Sequence, residues 1–155
     1  MVYRALIFVV MKKIVAVSII LLLGGTAVAQ DEHGSEVPQS VMESFSCLYP
    51  TITNVAWVAD DVNYSASFRL DGRGVSLLFD EYGNVIKVKN EIKLFELPLD
   101  VNHLISAEYS GWSIGKAAHI DSNGTAYYEA EVQKDEQTVV LVFDRHGGLL
   151  ITVML

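Results

Sequence analysis

The pattern of apolar positions at the start of the globular part predicts an amphipathic helix. Val41, Phe45 and Leu48 recur at spacings of four and three, which place them on one face of a helix. Pro38 suits the first helical position, and Pro50 prevents the helix from continuing. We therefore expect one helix of about three turns between these two prolines.

After this helix the period of the pattern changes to two, which indicates antiparallel strands. Residues 64–70 and 75–79 alternate apolar with polar side chains, as strands with one buried face do. The segment Asp71-Gly72-Arg73-Gly74 between them supplies the positive φ angles that a hairpin turn needs. Residues 85–89 alternate in the same way, and residues 55–59 form a weaker first strand. The pattern predicts a helix followed by a β-meander.

The same order of patterns then occurs a second time along the chain. Positions 60 residues apart match in Val37 with Leu97, Val41 with Val101, Phe45 with Ile105, and Tyr49 with Tyr109. Positions 64 residues apart match in Tyr64 with Tyr128, Leu77 with Leu141, Phe79 with Phe143, Asp80 with Asp144, and Gly83 with Gly147. One four-residue insertion accounts for the change of spacing, and we expect it in the turn at 121–124.

The predicted fold is therefore α+β, with two tandem repeats in one compact domain. Each repeat is expected to pack one helix on an antiparallel meander of about four strands. The first repeat covers residues 37–96 and the second covers residues 97–155. The alternation places Trp57, Tyr64, Phe79, Tyr128 and Phe143 on the face that the helices cover. The other face of each sheet is expected to be open to water.

The amino-terminal residues have the organisation of an export signal. Lys12 and Lys13 precede an apolar run at 14–23, and Ala27-Val28-Ala29 has the small residues of a cleavage site. We predict a signal peptide at 1–29 and a disordered tether at 30–36, with a periplasmic or secreted product and no stable membrane insertion after cleavage. Translation from Met11 fits this pattern better than translation from Met1, which remains the alternative.

Charge and cysteine content limit the classes of partner. Residues 30–155 contain eight basic and nineteen acidic residues, a formal charge of −11. This charge repels nucleic acid and anionic lipid, whereas a basic protein or a cation is easier to accommodate. The single cysteine, Cys47, excludes an intramolecular disulfide and is expected to be buried in the first helix.

No combination of residues predicts catalysis, a metal or a cofactor. The four histidines lack the spacing of a metal site. Ser113 matches Gly-x-Ser-x-Gly at 111–115 and Ser-x-x-Lys at 113–116, but these residues follow a predicted helix instead of joining a strand to a helix, as a nucleophile elbow does. Asp121 could begin a calcium loop, but the twelfth position is Val132 rather than an acid. We therefore expect a protein that is not an enzyme, although a triad of residues distant in sequence would escape this test.

Motifs along most of residues 37–155 resemble one known group of exported proteins. They are Tyr49-Pro50, Asn54-Val55-Ala56-Trp57, 64–68, Phe79-Asp80-Glu81-Tyr82-Gly83, Leu97-Pro98, Ile114-Gly115-Lys116-Ala117 and Phe143-Asp144-Arg145-His146-Gly147. With the leader, they make the chain similar to the PepSY-like, β-lactamase-inhibitor-like periplasmic proteins of Bacteroidetes-type bacteria. This resemblance implies tandem helix-plus-meander units, export and no established enzymatic activity.

The strand at 139–143 is apolar on both sides, so both of its faces need cover. Either the other repeat with its linker or a partner protein could supply that cover. The leading hypothesis is a partner protein of unknown identity on the open face of the sheet, which carries Ser65, Ser67, Arg69, Leu78, Glu129, Glu131, Val140 and Val142. The alternative is a small-ligand-binding or envelope-sensing module with its site between the two repeats.

Overall fold

The computed structural model describes residues 37–155, so the predicted signal peptide, the predicted tether and the choice of start codon lie outside the described residues. Helix α1 and four strands come first: α1 Gln39–Leu48, β1 Ala56–Asp60, β2 Asn63–Leu70, β3 Arg73–Asp80 and β4 Val85–Ile92. A 3₁₀ turn at Leu94–Glu96 leads to a second helix and four more strands: α2 Leu99–Glu108, β5 Ser113–Ser122, β6 Thr125–Lys134, β7 Gln137–Asp144 and β8 Leu149–Met154.

The eight strands form one antiparallel sheet in sequence order. This confirms the α+β class and the antiparallel meanders. The sequence predicted a closed pair of helix-on-sheet units, and the pairing of β4 with β5, from Lys87 with Ser122 to Ile92 with Ala117, joins their strands into a single sheet. Two separate meanders would each expose a strand edge with unpaired backbone groups, and this pairing satisfies those groups.

Both helices lie on one side of the sheet and bury their apolar residues against it. Val41 and Phe45 of α1 pack on a cluster from β2 and β3 that includes Phe68 and Phe79. In the same way, α2 packs on a cluster from β5, β6 and β7, which consists of Ala117, Ala130, Val132, Val139, Leu141 and Phe143. Tyr64, Phe79 and Phe143 are buried as predicted, whereas Trp57 and Tyr128 are only half-buried.

Helix α1 differs from its prediction at both ends. Pro38 is the residue before the first helical position, and its carbonyl accepts the N–H of Met42 at 3.1 Å. Leu48 is 53% exposed, because Tyr49 instead packs its ring on Phe68, with 4.6 Å between ring centroids. Cys47 was expected to be buried but is exposed. It lies two residues, or about 200°, from buried Phe45 and therefore points away from the sheet.

The turns after β3 and β7 have the same hydrogen bonding. The Asp80 carboxylate accepts the backbone N–H of Tyr82 and Asn84, and that of Asp144 accepts the backbone N–H of His146 and Gly148. The side-chain amide of Asn84 lowers the pKa of Asp80 most, whereas the N–H of Gly148 lowers the pKa of Asp144 most. Each carboxylate is therefore held in its charged form by the turn that it closes.

A glycine in each of these turns lies against a helix. Gly83 has φ of +87°, and a Cβ placed there would lie 2.6 Å from the carbonyl oxygen of Ser40 in α1. Gly147 has φ of +84°, and its Cβ would lie 2.7 Å from the Cβ of Asp100 in α2. Both turns therefore require a residue without a side chain, for its backbone conformation and for its close contact.

The turn at 121–124, where the sequence predicted a four-residue insertion, is a tight hairpin turn. Ser122 pairs with Thr125, which leaves Asn123 and Gly124 as a two-residue turn with φ of +50° and +76°. Two positive φ angles are typical of the tight type I′ hairpin. The strands of the second half are the longer ones, because β5 and β6 have 10 residues each, whereas β1 has 5 and β2 has 8.

Candidate docking surface

The eight residues predicted for recognition lie on the side of the sheet opposite the helices. Ser65 pairs with Leu78, Glu129 with Val142, and Glu131 with Val140. Residues paired across strands share a face, so these pairs point to the same side. Neither of the two core clusters includes any residue of this set. We call this side the reverse face. It comprises the eight predicted residues, Ser65, Ser67, Arg69, Leu78, Glu129, Glu131, Val140 and Val142, together with Lys87 and Lys89 of β4 and Ala118 and Ile120 of β5.

Side chains of the reverse face are less exposed than the sequence suggested. Exposed fractions are 7% for Ser65, 9% for Leu78, 3% for Glu129, 6% for Glu131 and 3% for Val140. Ser67 and Val142 are half-buried, and Arg69 is exposed. The expectation of a face fully open to water is therefore wrong. Both helices pack on the other side, so helix packing does not account for this low exposure.

Strands β4 and β5 join the two groups of predicted residues into one surface. Lys87 pairs with Leu78 on one side and with Ser122 on the other, and Lys89 pairs with Ile120. Ala118 pairs with Glu129 and completes the connection to β6. The reverse face is thus continuous across both halves of the sheet.

A short ion pair lies near the middle of the reverse face. The Nζ of Lys89 is 2.6 Å from Oε1 of Glu129, and the two side chains are only 13% and 4% exposed. Lys89 extends from β4 across β5 to reach Glu129 on β6. The other carboxylate oxygen, Oε2 of Glu129, is buried and has no hydrogen-bond partner. A buried carboxylate oxygen without a donor is unfavourable, so this atom is a candidate contact for an incoming group.

Two further charged groups flank this pair. The carboxylate of Glu131 accepts the side-chain amide of Gln133 at 2.6 Å. Burial lowers the pKa of Lys87, and the positive charge of Lys89 acts in the same direction. The surface therefore combines apolar side chains with charges that are largely removed from water, which makes electrostatic contacts there stronger than at an exposed site.

The sequence did not single out Lys87, Lys89, Ala118 or Ile120. Its alternation placed the two lysines on the polar side of their strand, which was the available signal. Their proximity to Glu129 depends on the pairing of β4 with β5, which no local pattern encodes.

Three further observations concern metal ions, membranes and small ligands. Among residues 37–155 there is no group of three or more histidine, cysteine, aspartate or glutamate side chains that could hold a metal ion. No helix in this range is both long and apolar enough to cross a membrane. A cleft of about 780 Å³ is lined by residues 70–73, Val75 and residues 90–93. These residues all belong to β2, β3, β4 and their connections, so this cleft is not the predicted ligand site between repeats.

Comparison with known proteins identifies structural relatives. No protein-family model and no curated protein matches the chain. A DUF2874 family protein from Bacteroides ovatus ATCC 8483 superimposes with a TM-score of 0.67 and 25% identity, over 78% of this chain and 89% of that one. A protein from Bacteroides eggerthii DSM 20697, provisionally assigned to the periplasm, gives 0.71 and 21% over 77% and 90%.

A further relative carries the inhibitor-like description. The BLIP-like protein BF1215 from Bacteroides fragilis NCTC 9343 gives a TM-score of 0.64 and 24% identity, over 81% of this chain and 92% of that one. The inhibitor-like part of the predicted resemblance is thereby supported at the level of the fold, whereas the likeness to PepSY proteins stays a prediction. In fold, the chain is similar to Bacteroides proteins of the DUF2874 and BLIP-like kinds.

Proposed function

We propose that this chain is an exported, non-enzymatic binding protein whose reverse face docks another protein, in the manner of an inhibitor. One observation carries the proposal: β7 presents Val140 and Val142 on a sheet face that neither α1 nor α2 covers. Leu78 and Ile120 extend the same apolar surface toward β3 and β5. An apolar surface of this kind, interspersed with polar groups, is typical of protein interaction sites.

The BLIP-like relative supports an inhibitor-like role, and the relative assigned to the periplasm supports export to that compartment. The predicted signal peptide at 1–29 agrees with export. Ser113, the serine in the Gly-x-Ser-x-Gly match at 111–115, lies at the start of β5 and donates its hydroxyl to the carbonyl of Gln133. It therefore lacks the strand-to-helix turn of a serine nucleophile, which supports binding rather than catalysis. A site on a sheet is held by the strand ladder, so its side chains are pre-organised for a partner.

We further propose that the domain consists of two tandem repeats, 37–96 and 97–155. The support is the pair of equivalent turns. Asp80 and Asp144 each accept the backbone N–H groups two and four residues further along the chain, and Gly83 and Gly147 contact equivalent positions of α1 and α2. Duplication would give the reverse face two related halves joined at β4 and β5.

The docking proposal is tested by affinity purification of partner proteins from periplasmic extract, with the chain without residues 1–29 as the immobilised bait. The Leu78→Asp, Val142→Asp double variant should lose the partner that the unmodified protein retains, because each aspartate would bury an unpaired charge at the contact. The matched control is Leu48→Asp, Leu99→Asp, since these leucines are 53% and 76% exposed on the two helices. Retention of the partner by a folded Leu78→Asp, Val142→Asp variant would refute the reverse face as the docking surface.

A further inference from the structure

Resting on the proposed docking function, we infer that the partner inserts an arginine side chain between Glu129 and Glu131 of the reverse face. The guanidinium donates hydrogen bonds to Oε2 of Glu129 and to the carboxylate of Glu131. The methylene groups of the arginine pack on Val140 and Val142, which pair with Glu131 and Glu129 on the neighbouring strand. The inference thus names the chemistry of the group that the surface recognises.

The first argument is the state of Glu129. Its side chain is almost completely buried, and Lys89 satisfies Oε1, whereas Oε2 has no donor. Folding has already removed this oxygen from water, so no dehydration of the carboxylate opposes a donor that reaches it when half-buried neighbours such as Val142 move aside. Hydrogen bonds to such a charged group are stronger than those between neutral groups.

The second argument is that the sheet does not require a carboxylate at this place. Ser65, which lies 64 positions before Glu129 in the sequence, occupies the reverse face in β2 and is equally buried, at 7% exposure. Likewise Ser67 precedes Glu131 by 64 positions and lies on the same face. A serine therefore suffices for strand geometry at these positions. The two glutamates add charge to the second half of the sheet alone.

The third argument selects arginine over other donors. Glu129 and Glu131 are two residues apart on one strand, so their Cα atoms are separated by about 7 Å. A guanidinium group has five N–H donors in a planar fork, so it can bridge two carboxylates. A neutral donor would leave their negative charge uncompensated, and a lysine ammonium, which is a compact point charge, matches the geometry of two carboxylates less well. Lys89 approaches Glu129 from β4, across β5, whereas the two valines lie on the opposite side in β7. The charge of −11 on residues 30–155 also favours a basic partner.

The test selects seven-residue peptides from a random library on the protein without residues 1–29, with removal of peptides that also bind the Leu78→Asp, Val142→Asp variant. We expect arginine to be enriched at one position of the selected peptides. Synthetic forms of one selected peptide then carry arginine, lysine or citrulline at that position; citrulline keeps the shape of arginine without its charge. We expect affinity to fall about 10-fold or more with citrulline, and by a similar factor for Glu129→Gln with the arginine peptide.

Several results would overturn the inference. They are a selection that yields no binder or no enrichment of arginine, equal affinity of the arginine and citrulline peptides, equal affinity of the arginine and lysine peptides, and full affinity for Glu129→Gln. Self-association that buries Glu129, seen as a dimer in sedimentation that Glu129→Gln abolishes, would assign the face to a second copy instead. Glu129→Gln keeps the size of the side chain, and the amide spectrum verifies its fold. If this variant retains the partner that Leu78→Asp, Val142→Asp loses, the arginine inference fails while the docking function stands.

Discussion

Substituting alanine for Gly83 is expected to lower the free energy of unfolding by about 3 kcal/mol, one of the largest effects of any single substitution in the chain. Two costs combine. A residue with a side chain is strained at φ of +87°, and its Cβ would lie 2.6 Å from the carbonyl oxygen of Ser40. Because that oxygen belongs to the backbone of α1, it can move away only if the helix or the turn shifts. Urea denaturation followed by circular dichroism measures the loss.

Gly124→Ala is the matched control for the contact with the helix. Gly124 has φ of +76°, but a Cβ there would meet no atom within 4 Å. This variant has the backbone strain without the collision, and we expect a loss of only about 1 kcal/mol. Equal losses for Gly83→Ala and Gly124→Ala would contradict the close packing of the turn on α1.

The second large effect is expected at the ion pair of the reverse face. Lys89→Met removes the cation that lies 2.6 Å from Glu129 and leaves a buried carboxylate without compensation. We expect the free energy of unfolding to fall by about 3 kcal/mol, the usual result of breaking a buried pair from one side. Denaturation at neutral pH, where the free glutamate is charged, measures this effect.

The companion double variant separates stability from function. Lys89→Met, Glu129→Leu removes both charges and also the oxygen that has no partner. An apolar pair of similar size should restore stability to within about 1 kcal/mol of the unmodified protein. The same double variant should fail to bind the arginine peptide. If the double variant is as unstable as Lys89→Met alone, the pair supports the fold rather than recognition.

Local features of the fold could be predicted because each depends on a few neighbouring residues. Alternation in 64–70 and 75–79 placed Tyr64 and Phe79 on the helix side and Ser65 and Leu78 on the other, as the strand register has them. The turn glycines were also recognisable. By contrast, the pairing of β4 with β5 joins segments whose contacts depend on the whole chain, and no short pattern specifies it.

The sequence predicted which face of the sheet carries the candidate site, but not the burial of its side chains or the ion pair within it. Periodicity identifies the face on which Glu129 lies, yet it carries no information about how many neighbours surround the side chain. One of these neighbours, Lys89, reaches Glu129 across a third strand. The same limit applies to Leu48. Periodicity placed this residue on the apolar face of the helix, but the helix ends at Leu48, and Tyr49 contacts Phe68 in its place.

Photo-crosslinking in living cells tests the docking surface most directly. A photoreactive amino acid at position 78 or 142 of the reverse face should capture one and the same protein, whereas the same group at position 48 or 99 on the helices should not. Capture of a common partner from positions 48 and 99, with none from 78 and 142, would contradict recognition through the reverse face.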